Sequence, residues 1–192
     1  MVDASTSGSG KTLLVQVVSL ISTGEMPSSE TAPTRPEEWQ KIITAKARKG
    51  DSLLFLDNVK GVLESRPLEE AITSPRWEGR VLGHSKMVDV PLRMTWIATG
   101  NNIQPGGDLD RRFYRIRLVP EDRNPENRSQ EYFEHPHLKR WTRENRGKLI
   151  WSLLTLTRSW YADGEPDPSI DLFQSFTEWS RVVGGILEHA GI

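Results

Sequence analysis

Apolar residues recur at helical spacing from Gly10 to Ile21, at Leu13, Leu14, Val17, Val18 and Ile21, and Gly24 and Pro27 then stop the pattern. The spacing predicts a helix that begins directly at a glycine-rich loop. Residues 23–35, rich in Ser, Thr, Pro and Glu, read as a polar loop. Pro36, a favoured first-turn residue, opens a second helix through Trp39, Ile42 and Ile43 to Gly50. The run SLLFLDNV is short, continuous and apolar, and it ends in an acid and an amide. That is the pattern of a buried parallel strand whose carboxyl end carries function, with Asp57 at that end.

Residues 63–72 have a helical pattern. RVLGHSKMVDVPL has two short extended segments around a Gly-His-Ser-Lys turn, which predicts a β-hairpin. MTWIATGNN follows as a second buried strand ending in polar residues. FYRIRLV is a third, alternating apolar and basic positions. Beyond Pro120 a charged stretch leads into a helix carrying Leu149, Ile150, Leu153, Leu154, Leu156 and Trp160, and a last helix covers roughly 175–189. Trp141, Trp151, Trp160 and Trp179 fall on helical apolar positions and read as core or subunit contacts. His135 and His137 read as a structured turn.

Composition narrows the field. The chain has 192 residues, enough for one substantial core with a small helical appendage. Its 25 basic and 26 acidic residues give a net charge of -1, so any contact with DNA must be a local patch. With no cysteine, disulfides and thiolate metal sites are excluded. No apolar run approaches the roughly 18 residues of a membrane span, and the amino terminus lacks the apolar stretch of a signal peptide. The expectation is a protein of the cytoplasm of a bacterial or phage-infected cell, with no membrane partner.

STSGSGKT, residues 5–12, matches the phosphate-loop template GxxxxGKT at every fixed position except the first, where Ser5 replaces Gly. Backbone amides from Gly8, Ser9, Gly10, Lys11 and Thr12, with the dipole of the helix they begin, form a concave anion site. Lys11 is expected to reach the β and γ phosphates of ATP, and Thr12 to hold Mg2+. The alternative is a flexible Gly/Ser tail that ends in GKT by chance. Asp57 fits the second acid position, which orients magnesium through water. The next position, where such ATPases carry a glutamate that polarises water, is Asn58, and an amide cannot accept a proton. Glu64 and Glu38 are the substitutes considered.

Past the next strand, Thr99, Asn101 and Asn102 stand where an amide could touch a γ-phosphate or the attacking water; a plain turn is the alternative. In GDLDRRFYRIRL, Arg111 and Arg112 precede a strand and suit an arginine finger reaching a neighbour's nucleotide, against a solvated pair with Asp108 or Asp110. Arg80, His84, Lys86 and Arg93 make a small basic cluster able to meet phosphates of DNA.

The ordered set GSGKT, LLFLDN, RVLGHSKMV, WIATGNN and GDLDRRFYRIRL, with HPHLKRWTRENRGKLI and WSRVVGGILEHAGI after it, resembles the AAA+ ATPase portion of phage and mobile-element primase-helicases, close to superfamily 3 helicases. The resemblance implies a homo-oligomeric, hexameric ring with ATP between subunits, DNA in the centre and a primase domain in the whole protein. It implies Asn101 or Asn102 as the sensor, Arg112 as the finger, and His84 and Lys86 at the tip of a DNA-contacting hairpin.

The fold expected is α/β, a P-loop NTPase (AAA+-like) three-layer sandwich with a parallel sheet over 1–120 and a helical carboxyl region over 121–192. Only Met1 to Ala4 precede Ser5, so the strand leading into the loop is expected to be largely missing, leaving its neighbours unpaired. On that ground the chain reads as a fragment, a remnant or one part of a split protein. The function expected is an ATP-dependent DNA helicase or translocase. The rivals are a nucleotide-binding switch that scarcely hydrolyses ATP, and an interaction module without nucleotide binding.

Overall fold

A computed structural model describes residues 1–80, 87–121 and 125–192. In chain order the elements are β1 (Val2–Ala4), α1 (Lys11–Thr23), β2 (Ser29–Glu30), α2 (Pro36–Lys49), β3 (Leu53–Val59), β4 (Val62–Leu63), α3 (Arg66–Thr73), β5 (Arg76–Arg80), β6 (Met87–Pro91), β7 (Thr95–Asn101), β8 (Gln104–Pro105), β9 (Ile116–Leu118), α4 (Leu138–Ala162) and α5 (Thr177–His189). They make two compact units. One comprises 1–19 and 25–136, the other 20–24 and 137–192.

The first unit is α/β, built on a five-stranded parallel sheet in the order β2-β3-β7-β1-β9. Alternation along the central strands explains its layers, because successive side chains of a strand point to opposite faces. Leu54 and Leu56 of β3 and Ala98 of β7 join Trp39, Ile43 and Ala47 of α2 in one core cluster. Phe55 and Leu53 of β3, Ile97 of β7 and Val2 of β1 join Leu14 and Val15 of α1 in another. The sheet is therefore covered on both faces, which is why β3 runs apolar without a break from Leu53 to Leu56.

The gap expected beside the loop is filled in part, at the carboxyl end of the seven-residue β7. β1 is three residues long, yet it pairs with β7 on one side and β9 on the other, in the register Val2 with Thr99 and Ile116, and Ala4 with Asn101 and Leu118. The Ile116 amide also donates to the Met1 carbonyl at 2.8 Å. Met1, Val2, Asp3 and Ala4 are all buried. The adjoining strand β9 is equally short and is matched along its whole length, whereas Thr95–Ala98 of β7 have no register partner in β1.

Three further differences from the sequence pattern have local causes. The helix expected from Leu63 starts at Arg66, because Val62 and Leu63 pair with Gln104 and Pro105 in a separate two-stranded parallel ladder, and Ser65 then caps the helix by accepting from the Leu68 amide. FYRIRLV is a strand only over Ile116–Leu118, the stretch that β1 can match. The first unit also runs past residue 120 to Pro136, since the segment Pro125–Asn127 lies against the glycine-rich loop: a Cβ on Gly8 would come 2.7 Å from Glu126 Cβ.

A hairpin forms from β5 and β6, paired antiparallel from Arg76 opposite Pro91 to Arg80 opposite Met87, so its first strand precedes the expected segment that begins at Arg80. Its turn, with His84 and Lys86, lies outside the described residues.

In the second unit, Arg146 of α4 donates to the carbonyls of Leu20 and Ile21, both at 3.0 Å, closing the last turn of α1. Trp160 is buried, donates to the Pro166 carbonyl at 3.0 Å and lies under the Arg181 guanidinium. Of the tryptophans expected as core or subunit contacts, Trp151 is 69% exposed and Trp179 half-exposed, so neither belongs to the core of this chain. No helix among the described residues is long and apolar enough to cross a membrane.

Candidate functional site

The strand connections diverge at β1 and β7. From β1 the chain leaves through α1 to the far edge strand β2, whereas from β7 it passes across β1 to the opposite edge strand β9. In open α/β sheets the crevice outside the carboxyl ends of the strands at such a point is where ligands bind. The candidate residues meet there.

The loop between β1 and α1 turns through Gly8 and Gly10, both at positive φ (70° and 87°), conformations that disfavour any residue with a Cβ. Lys11 opens α1, and its ammonium donates to the Thr6 carbonyl (3.0 Å), to Ser9 Oγ (2.8 Å) and to Asn101 Oδ1 (2.7 Å). All three donors are thus held by uncharged oxygens. Burial pushes the Lys11 ammonium below the ordinary lysine range, while the carboxylates of Asp3 and Asp57 pull it back up. Thr6 Oγ1, in the same loop, is buried with no hydrogen-bond partner among the described residues.

Thr12 Oγ1 donates to Asp57 Oδ1 at 2.9 Å. The same carboxylate oxygen accepts from Thr99 Oγ1, a buried hydroxyl of β7. Thr99 in turn accepts from the Asn58 amide at 3.2 Å. Asp57 and Asn58 occupy a β-bulge, since Leu56 stands opposite Ala98 and Val59 opposite Gly100. The extra residue, with Asn58 at φ 57°, swings the strand end and aims Asp57 at Thr12. Gly100 makes the close approach possible, because a Cβ there would strike the Val59 carbonyl and Ile103. Thr99, expected just past the strand, lies inside it and acts as the brace of Asp57.

Among the described residues no group of three or more His, Cys, Asp or Glu side chains gathers as a metal cage. Thr12 and Asp57 nevertheless supply two adjacent oxygens, a donor set suited to a hard cation that takes its remaining ligands from water and phosphate.

The two asparagines part company. Asn101 reaches Lys11. Asn102 sits at φ 51°, donates its amide to the Ala4 carbonyl at 3.0 Å and turns its side chain to Arg117. Arg111 and Arg112 both pair with Asp108 at 3.2 Å, and Arg112 also donates to the Glu69 carbonyl at 2.9 Å. The alternative weighed from sequence, an Asp108 pair, is what this chain forms within itself. Glu38 is tied to Arg35 and Lys41, and the Lys41 hydrogen bond holds its carboxyl below the usual range. Arg80 is exposed at the turn end of the hairpin, but Arg93 follows the opposite end, so the two do not cluster as expected.

Sequence reading missed two residues. Asp3 is buried in β1, where its carboxylate accepts from the Ile103 amide (3.2 Å) and pairs with Arg117 (2.8 Å). The only signal was a lone acid in an apolar stretch.

No family model, no curated protein and no solved structure matches the chain. The functional reading therefore rests on the site itself.

Proposed function

We propose that the chain is a P-loop ATPase module, of the AAA+ and superfamily 3 helicase kind, that binds ATP and Mg2+ at residues 5–12 and uses hydrolysis to move on DNA during replication of a phage or mobile element. One observation carries the reading: Lys11 lies 2.7 Å from Asn101 while its chain neighbour Thr12 lies 2.9 Å from Asp57. An anion-binding ammonium, a cation-binding hydroxyl and carboxylate, and an amide for a terminal phosphate thus converge at the carboxyl ends of β1, β3 and β7.

On this reading the amides from Gly8 to Thr12 and the start of α1 cradle the phosphates. Lys11 exchanges its neutral acceptors for β and γ oxygens. Thr12 and Asp57 hold magnesium, which supplies charge neutralisation on the phosphates when bound. Asn101, rather than Asn102, orients the attacking water. Arg111 or Arg112 serves a neighbouring subunit of a ring, a role that requires Arg112 to leave Asp108. Arg80, with His84 and Lys86, meets DNA, and a primase domain completes the working protein.

The test is steady-state ATP hydrolysis with and without single-stranded DNA, beside Lys11→Ala. DNA-stimulated turnover that vanishes in the variant is expected; equal activity in both proteins removes the enzyme reading.

A second reading, an ATP-binding switch, is favoured by Asn58, since no carboxylate follows Asp57 to accept a proton from water. Magnesium-dependent binding without turnover, at every DNA concentration, selects it.

A further inference from the structure

We infer that Arg117, held by the buried carboxylate of Asp3, contacts the phosphates of a nucleotide bound at residues 5–12 and is a binding residue of that site. The inference rests on the nucleotide reading and adds a second cation to it.

Asp3 and Arg117 are register partners on adjacent parallel strands, so their side chains leave the same face. The Asp3 side chain is 1% exposed and its partner 47%. The guanidinium spends one nitrogen on Asp3 at 2.8 Å and touches Asn102 Oδ1 at 3.4 Å with another. Of its five N–H donors, most remain directed elsewhere. Arg117 also lines a cavity of about 1030 Å3 together with Ser9, a residue of the glycine-rich loop, and with Glu121, Asn127, Arg128 and Ser129. Half-exposed Arg117 thus borders the same space as Ser9 of that loop.

The placement is symmetrical about β1. Lys11 meets Asn101 at the end of β7 on one side, and Arg117 rises from β9 on the other. Asp3 acts on both cations, by direct pairing with Arg117 and through its field on Lys11. Burying one member of an ion pair costs desolvation that an apolar pair of the same volume avoids. What the pair contributes is orientation: Asp3 fixes one edge of a planar fork and leaves the other to recognise a phosphate bidentately. Asp3 is a positioning residue, and Arg117 the contact.

Two measurements test this. In the first, calorimetry gives the MgATP affinity of the wild-type chain and of Asp3→Asn/Arg117→Gln, which keeps a neutral hydrogen-bonded pair. About a tenfold loss of affinity is expected, equivalent to about 1.4 kcal/mol. A folded double variant that binds within twofold of wild type overturns the inference. In the second, needing no variant, the wild-type chain is treated with phenylglyoxal and the arginines are mapped by peptide mass spectrometry. MgATP is expected to slow modification of Arg117 but not of Arg140, and an unchanged Arg117 rate overturns the inference. A wild-type chain that binds no MgATP overturns the nucleotide reading along with it, whereas intact binding with an insensitive Arg117 sinks the inference alone.

Discussion

Thr99 and Thr12 grip the same oxygen of Asp57, one hydroxyl from inside β7 and the other from the first turn of α1. The carboxylate is therefore fixed by a brace that is buried and a contact that a cation can replace.

Thr99→Val removes the brace and leaves the Asn58 amide without its acceptor. Loss of about 1–3 kcal/mol in unfolding free energy is expected, read by urea denaturation. Thr99→Ser, which keeps the hydroxyl, should restore most of it. A Thr99→Val chain as stable as wild type would remove the brace from the account.

Thr12→Ala should cost only about 1 kcal/mol of stability, the worth of one ordinary hydrogen bond. Its effect is expected on ligand binding: the magnesium dependence of ATP affinity should flatten while magnesium-free binding persists. Titration with and without the cation checks this, and a magnesium effect as large as wild type would count against a cation at Thr12.

Lys11 should couple binding to protons. Burial lowers the ammonium's pKa in the free chain, and polyphosphate would raise it. Binding at a pH of about 9–10, near where lysines titrate, is therefore expected to take up protons. Calorimetry in buffers of different ionisation enthalpy measures the uptake, and Lys11→Ala should abolish it along with about a hundredfold of affinity, or about 2.7 kcal/mol. Proton release would reverse the sign and refute the coupling.

Gly100→Ala places a methyl group against the Val59 carbonyl and Ile103, both buried residues. Destabilisation of about 1–3 kcal/mol is expected, as for overpacked cores, with a parallel fall in nucleotide affinity because the bulge that aims Asp57 lies beside it. Thermal melting and binding titration check both halves.

Arg112→Ala should leave MgATP affinity within twofold and reduce turnover by about a thousandfold or more if the residue serves a neighbour's nucleotide. Turnover close to wild type would leave Arg112 to its bonds with Glu69 and Asp108.

α1, α2, β3, β7 and the second strand of the hairpin were legible in the pattern of apolar positions, because each is a strong pattern that long-range packing reinforces. Lys11, Thr12, Asp57 and Asn101 were legible for a related reason: short motifs at the ends of strong elements have little freedom in where they can fall. What could not be read was geometry made by pairing. The bulge at Asp57 and Asn58 depends on the register of β3 against β7. The choice of Asn101 over Asn102 depends on a positive φ at Asn102. Asp3 and Arg117 are too far apart in sequence for any local pattern to join them, and the strand that brings them together is only three residues long, below the length at which alternation carries a signal.

That short strand has a consequence for biosynthesis. Val2 is hydrogen-bonded into place by residues around Thr99 and Ile116, so β1 must wait for a strand that is translated much later. Contacts of such sequence separation slow folding. The glycine-rich loop should therefore stay unformed on a ribosome until β9 has left the exit tunnel, and nascent chains arrested before Leu118 should be unable to retain a phosphate ligand.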